Sequence, residues 1–146
     1  MSVQSAVKPS LTLKRRLKAS PAKVFAAWTD PEEVKQWIAP GEATTIRAEN
    51  DARVGGRYRV VMRSPGDEEH DVSGVYRDVV ANEKLVFTWA WKSTPELESV
   101  VTVLLKADGD GTLLTLTHEQ FADETSRDRH QHGWNGALDK LEKLVA

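Results

Sequence analysis

Cysteine is absent from this 146-residue chain. Disulfides, thiolate metal sites and a cysteine nucleophile are therefore excluded. Long apolar runs are missing too: none approaches the roughly 20 residues needed to span a bilayer. The opening MSVQSAVKPS lacks the apolar stretch of a signal peptide. The expectation is a soluble, cytoplasmic protein with no membrane partner. An excess of one charge is lacking as well. The 20 basic and 22 acidic residues are interspersed and leave a net charge of -2. No basic stripe offers a footprint for nucleic acid, and no charge run marks a tail. Internal repeats and low-complexity segments are also missing.

The length suits one domain and can bury a substantial core. A single domain over residues 1–146 is expected, with residues 1–8 flexible. Five of the ten aromatic residues are tryptophan, at positions 28, 37, 89, 91 and 134. Such rings supply large apolar area together with one N–H donor.

The stretch PSLTLKRRLKA places Leu11, Leu13 and Leu17 between basic residues and reads as a first strand. Ser20-Pro21 is a cap followed by a proline at the first helical position, with Val24, Phe25 and Trp28 on one face. Asp30-Pro31 repeats that signal, with Glu32 and Glu33 in the first turn. Val34, Trp37 and Ile38 form the stripe of this second short helix, which Pro40-Gly41 ends. From about Ala43 to Glu119 strand follows strand, separated by short turns at SPGDE, ANE, STPE and DGDG. Such connections make antiparallel neighbours and a meander.

Alternation assigns the inward faces. Tyr58, Val60 and Met62 form one set, and Leu85, Phe87, Trp89 and Trp91 another. Val101, Val103 and Leu105 face inward, as do Leu114, Leu116 and His118. Tyr76 with Gly74 is the inward set on its strand, in competition with Val75 and Val79. The last element, RDRHQHGWNGALDKLEKLV, is a long helix capped by Asp123 or Thr125, the latter with Asp128 three residues on. Trp134, Leu138, Leu141 and Val145 form its apolar stripe. His130 continues that stripe, and His132 lies about 200° away from it. Gly133 and Gly136 let neighbouring backbone come close. These elements predict an α+β fold in which a curved antiparallel sheet of seven strands or fewer grips one long C-terminal helix. The inward list holds many polar-tipped rings, whose tips need partners that a cavity with water or ligand would supply.

VFAAWTDPEEVKQWIAP, GGRYRVVM, SGVYRDVVANEKLVFTW, GTLLTLTHEQF and HGWNGALDKLEKL occur in that order. Over residues 9–146 the chain resembles the stand-alone bacterial relatives of the C-terminal domain of the activator of the heat-shock protein 90 ATPase. These belong to the START-like (SRPBCC), helix-grip superfamily. The resemblance implies a curved antiparallel sheet, two short helices after strand 1, a long C-terminal helix, and a cavity between sheet and helix. It carries no catalytic motif. Ile38 stands where an aromatic often follows the tryptophan, which implies a reshaped cavity mouth.

Three functional readings follow. The leading one is binding of a small hydrophobic molecule between the sheet and the last helix. Its candidate lining is Trp37, Tyr58, Val60, Met62, Tyr76, Phe87, Trp89, Trp91, Val103, Leu116, His118, His130, Trp134 and Leu138. A second is a co-chaperone-like module that binds a heat-shock ATPase. A third, weaker reading is a cyclase- or hydratase-like enzyme using His118 or His130 as acid or base. His130 and His132 cannot share an ion, because only residues three or four apart face together. No metal or cofactor is expected. Gly55-Gly56 opens a strand and is no phosphate loop. The chain is expected to be a monomer, or a homodimer paired through an edge strand.

Overall fold

The computed structural model describes residues 8–146. The expectation of a flexible terminus therefore lies, for residues 1–7, outside the described residues. Ten elements follow one another: β1 (Leu11–Leu17), α1 (Pro21–Thr29), α2 (Pro31–Val34), β2 (Thr44–Asn50), β3 (Arg57–Arg63), β4 (Glu69–Val80), β5 (Lys84–Trp91), β6 (Ser99–Asp108), β7 (Gly111–Glu119) and α3 (Glu124–Val145). The strands form one seven-stranded sheet in the order β1-β7-β6-β5-β4-β3-β2, antiparallel throughout. Every connection from β2 to β7 is a hairpin. The α1–α2 segment alone crosses the sheet, from the β1 edge to the β2 edge. The anticipated helix-grip architecture is thus present.

Local chemistry explains the elements. Ser20 caps α1 by accepting from the Lys23 N–H, and Asp30 caps α2 by accepting from the Glu32 N–H. Asp123, one of the two expected caps, starts α3 by accepting from the Ser126 N–H at 2.8 Å. Asp108 pairs with Gly111, so Gly109-Asp110 is a two-residue hairpin loop, with Gly109 at a φ of 61°.

The second helix is shorter than its apolar stripe predicts. The regular helix ends at Val34, and the chain then tightens: Gln36 N–H reaches Glu33 O, and Trp37 N–H reaches Val34 O. The tightening turns Trp37 under α1, where its indole N–H donates to Ala27 O at 2.9 Å. That carbonyl lies in the last turn of α1 and has no helical partner.

Two bulges modify the alternation. Ile46 is an extra residue between Thr45 and Arg47 against β3, and Arg77 is an extra residue between Tyr76 and Asp78 against β5. The second explains the competing phases on β4. Tyr76 pairs with Phe87 and Val79 with Leu85, so both sides of the bulge face the core. On β1 the inward face is not wholly apolar. Arg15 reaches α3, donating to Asp139 at 2.8 Å and to Asn135.

The core lies between the concave face of the sheet and the three helices. Trp134, Ala137, Leu138, Leu141 and Val145 of α3 are buried against it. Gly133 and Gly136 do admit a close neighbour, and it is Pro40. A Cβ at Gly136 would lie 3.2 Å from the Pro40 Cβ. One turn on, the Lys140 ammonium donates to Ala39 O and Ala43 O. The 38–43 segment is thereby held onto α3.

Candidate functional site

A cavity of about 40 Å³ opens beneath α1 and α2, against β2 to β5. Six of the predicted residues line it: Trp37, Tyr58, Val60, Tyr76, Phe87 and Trp89. Their neighbours there are Trp28, Val34, Ile38, Ala48, Glu49 and Asn50, of which the sequence had connected only Ile38 with the cavity, at its mouth. The apolar face of α1 contained the signal for Trp28. Asn50 carried no sequence signal, being a polar residue at a strand end.

No residue of α3 lines this cavity, although the sequence reading put the cavity against that helix. Val103, Leu116 and Leu138 are fully buried, and Trp134 and His118 pack among them. Met62 is buried on β3, while Trp91 and His130 are half-buried at the N-terminal end of α3. The fourteen predicted residues therefore divide between a cavity, a packed core and a rim.

The inward histidines are paired with tryptophans. Trp134 donates its indole N–H to His118 Nδ1 at 3.0 Å. His118 Nε2 therefore carries the proton and donates to Ser99 Oγ at 2.7 Å, and Ser99 donates on to Trp89 O. Burial pushes the His118 imidazole down to about 2, with the nearby His130 adding to the effect. Trp91 donates to His130 Nε2 at 3.0 Å, and His130 Nδ1 donates to Ser126 O. Burial lowers His130 as well, against the opposing hydrogen bond to Ser126. Each ring is thus a neutral tautomer with both nitrogens engaged. Proton transfer by either would first require breaking one of these bonds. His132 is exposed.

Polar tips at the cavity are committed in a similar way, with two exceptions. Tyr58 donates to Thr88 O, in a place where the β4–β5 ladder opens and the Val75 N–H bonds the Thr88 side chain instead. Gly74 makes room for this, since a Cβ there would lie 1.9 Å from Thr88 O. Burial raises the Tyr58 phenol well above its usual range. Tyr76 donates to Asn50 Oδ1 at 2.7 Å, and the Asn50 amide donates to Thr29 O at the end of α1. Burial raises Tyr76 to about 12, with the bond to Asn50 acting in the opposite sense. Trp28 Nε1 and Trp89 Nε1 are buried and have no partner. Each such donor costs about 1–3 kcal/mol.

Among the described residues, no three His, Asp or Glu side chains are grouped to hold a metal ion, and no helix is long and apolar enough to cross a membrane.

Comparison with known proteins places this architecture. A protein from Chromobacterium violaceum is 27% identical, superposes with a TM-score of 0.86, and is matched over 93% of this chain and 96% of its own. A Silicibacter pomeroyi protein described as AHSA1 is 26% identical, with a TM-score of 0.85 and coverage of 94% and 97%. An uncharacterized protein from Rhizobium leguminosarum is 30% identical, with a TM-score of 0.77 and coverage of 99% and 98%. No curated protein matches the chain. The family model described as Activator of Hsp90 ATPase homolog 1-like protein matches residues 18–146, and the chain belongs to that family.

Proposed function

We propose that the protein binds a small hydrophobic molecule in the cavity bounded by α1, α2 and β2 to β5. The observation that carries this reading is the lining itself. Six aromatic rings and several aliphatic side chains enclose the space, and two indole N–H groups of that lining lack partners. A packed core satisfies the large majority of its buried donors. Apolar walls with a few convergent polar groups are the usual makeup of a ligand pocket.

The cavity, at about 40 Å³, has room for only a few water-sized molecules. Pockets for drug-sized ligands start at roughly 300 Å³. A ligand would therefore enter by displacing the wall formed by α2 and the 38–43 segment. That wall is one short helix and a series of tight turns, held on α3 through Pro40 and Lys140.

Thermal unfolding in the presence of naphthalene tests the reading. At ten times Kd, binding to the folded state alone adds about 1.4 kcal/mol, which raises Tm by about 3–6 °C. Trp89→Ala should abolish the rise. A Tm that stays flat up to the solubility limit rejects the reading.

The family description supports a second reading, a surface that binds a heat-shock ATPase. Reversal of surface charges would damage that function and leave naphthalene binding intact, whereas Trp89→Ala would do the opposite. No capture of a heat-shock ATPase, and no change in its turnover, would dispose of this reading.

A further inference from the structure

Three tryptophans line the cavity, and their N–H groups differ. Trp37 donates to Ala27 O at 2.9 Å, whereas Trp28 and Trp89 keep buried donors without a partner. Away from the cavity, Trp91 and Trp134 each donate to a histidine nitrogen at 3.0 Å. Every other indole of this chain is therefore satisfied, and both exceptions belong to the cavity wall. Both unsatisfied rings also pack on the same neighbour, Trp134, with ring centres 5.9 Å and 5.2 Å from it. The one other partnerless buried atom among the described residues, Thr45 Oγ1, belongs to a residue outside the lining.

Resting on the reading of this cavity as a ligand site, we infer that its ligand is a neutral apolar molecule bearing a carbonyl or ether oxygen, which accepts from the Trp28 or the Trp89 indole. An indole N–H is a donor only, so its partner must be an acceptor. The other polar tips of the lining are already used: Tyr58 on Thr88 O, Tyr76 on Asn50, and Asn50 on Thr29 O. No lysine, arginine or histidine lines the cavity, and Glu49 does. Glu49 is exposed and already paired with Arg47 at 3.0 Å, so a carboxylate or phosphate in the cavity would be buried without a countercharge. The oxygen is therefore uncharged. The rest of the molecule meets Val34, Ile38, Val60 and Phe87, which suit an aromatic or alicyclic body.

Three compounds of one shape class separate the possibilities: acetophenone, α-methylstyrene and benzoate. In α-methylstyrene a methylene group replaces the carbonyl oxygen. Affinities are measured by titration while the five indole N–H signals are followed by ¹⁵N–¹H NMR, with assignment by single Trp→Phe variants. Acetophenone should bind about fivefold to tenfold more tightly than α-methylstyrene, the worth of one buried hydrogen bond. It should shift the Trp28 or Trp89 signal downfield and leave those of Trp91 and Trp134 in place. Benzoate should bind most weakly. Trp28→Phe or Trp89→Phe should move the acetophenone to α-methylstyrene affinity ratio toward one. Should either variant fail to fold, the wild-type affinities and indole shifts still decide.

Equal affinities for the two neutral compounds, or tightest binding by benzoate, overturn the acceptor inference and leave the cavity reading standing. Binding by none of the three overturns the cavity reading and this inference with it.

Discussion

Trp134 on α3 donates its indole N–H to Nδ1 of His118 on β7 across 3.0 Å, and this bond makes the imidazole an obligate acceptor at that nitrogen. A proton added there would confront the indole proton directly. The helix is thus fixed to the sheet by a contact that exists only while the imidazole is neutral.

Acidification should therefore destabilise the protein well above the range in which carboxylates titrate. His118 is lowered from 6.5 to about 2 by burial. Between those values the unfolded chain binds a proton that the folded protein refuses, so stability rises with pH there and falls as pH drops below 6.5. The slope approaches about 1.4 kcal/mol per pH unit for one such group. His130, also lowered, acts in the same direction. Urea unfolding at pH 6.0, 5.5 and 5.0 measures the slope. His118→Gln should flatten it by about 1.4 kcal/mol per pH unit, and an unchanged slope in that variant refutes the assignment.

Gly133 and Gly136 should respond unequally to alanine. Both stand in the interior of α3, where alanine is favoured over glycine by about 1 kcal/mol. A Cβ at Gly133 would meet Pro40 Cγ at 3.9 Å, an ordinary contact, whereas at Gly136 it would crowd Pro40 Cβ at 3.2 Å and Gly41 N at 3.4 Å. Gly133→Ala should stabilise by about 0.5–1 kcal/mol. Gly136→Ala should fall behind it by about 1 kcal/mol and speed hydrogen exchange at residues 38–43. Equal gains from the two substitutions would contradict the docking of Pro40 on α3.

Gly74 should tolerate nothing larger. An added Cβ would collide with Thr88 O at 1.9 Å and with a Tyr58 ring carbon at 2.7 Å, and the backbone of a central strand cannot yield that far. Gly74→Ala should cost about 3 kcal/mol. Tyr58→Phe leaves the ring and removes only the bond to Thr88 O. It should cost about 1–2 kcal/mol. Denaturant midpoints measure both, and a Gly74→Ala variant as stable as the parent would mean that the ladder at Thr88 is not held open by this packing.

Much of this arrangement was legible from periodicity. The strand phases placed Tyr58, Phe87, Trp89 and His118 on the inner face, and the helical phase of Trp134 brought His130 with it. What periodicity misses is any residue that breaks the count. The bulge at Arg77 puts Tyr76 and Val79 on one face, so the two phases read as rivals although both hold. Alternation also describes one surface at a time. It could show that His118 and Trp134 share a compartment, but not that their ring nitrogens meet. The cavity was sought under the longest helix. Its lining comes instead from α1, α2 and β2 to β5, while Trp134, Leu138 and Leu116 are buried outside that lining. Trp28 was visible on the apolar face of α1, and only its neighbours reveal that its N–H stays unmatched.

The five tryptophans are also one optical unit. Trp37 lies 4.6 Å from Trp28, Trp28 lies 5.9 Å from Trp134, Trp134 lies 5.2 Å from Trp89, and Trp89 lies 5.6 Å from Trp91. Transition dipoles so close exchange excitation faster than any one ring emits. The near-ultraviolet circular dichroism of this protein is therefore a property of the whole chain of rings, from the cavity wall to the rim, and a shift of Trp28 against Trp134 rewrites the entire spectrum.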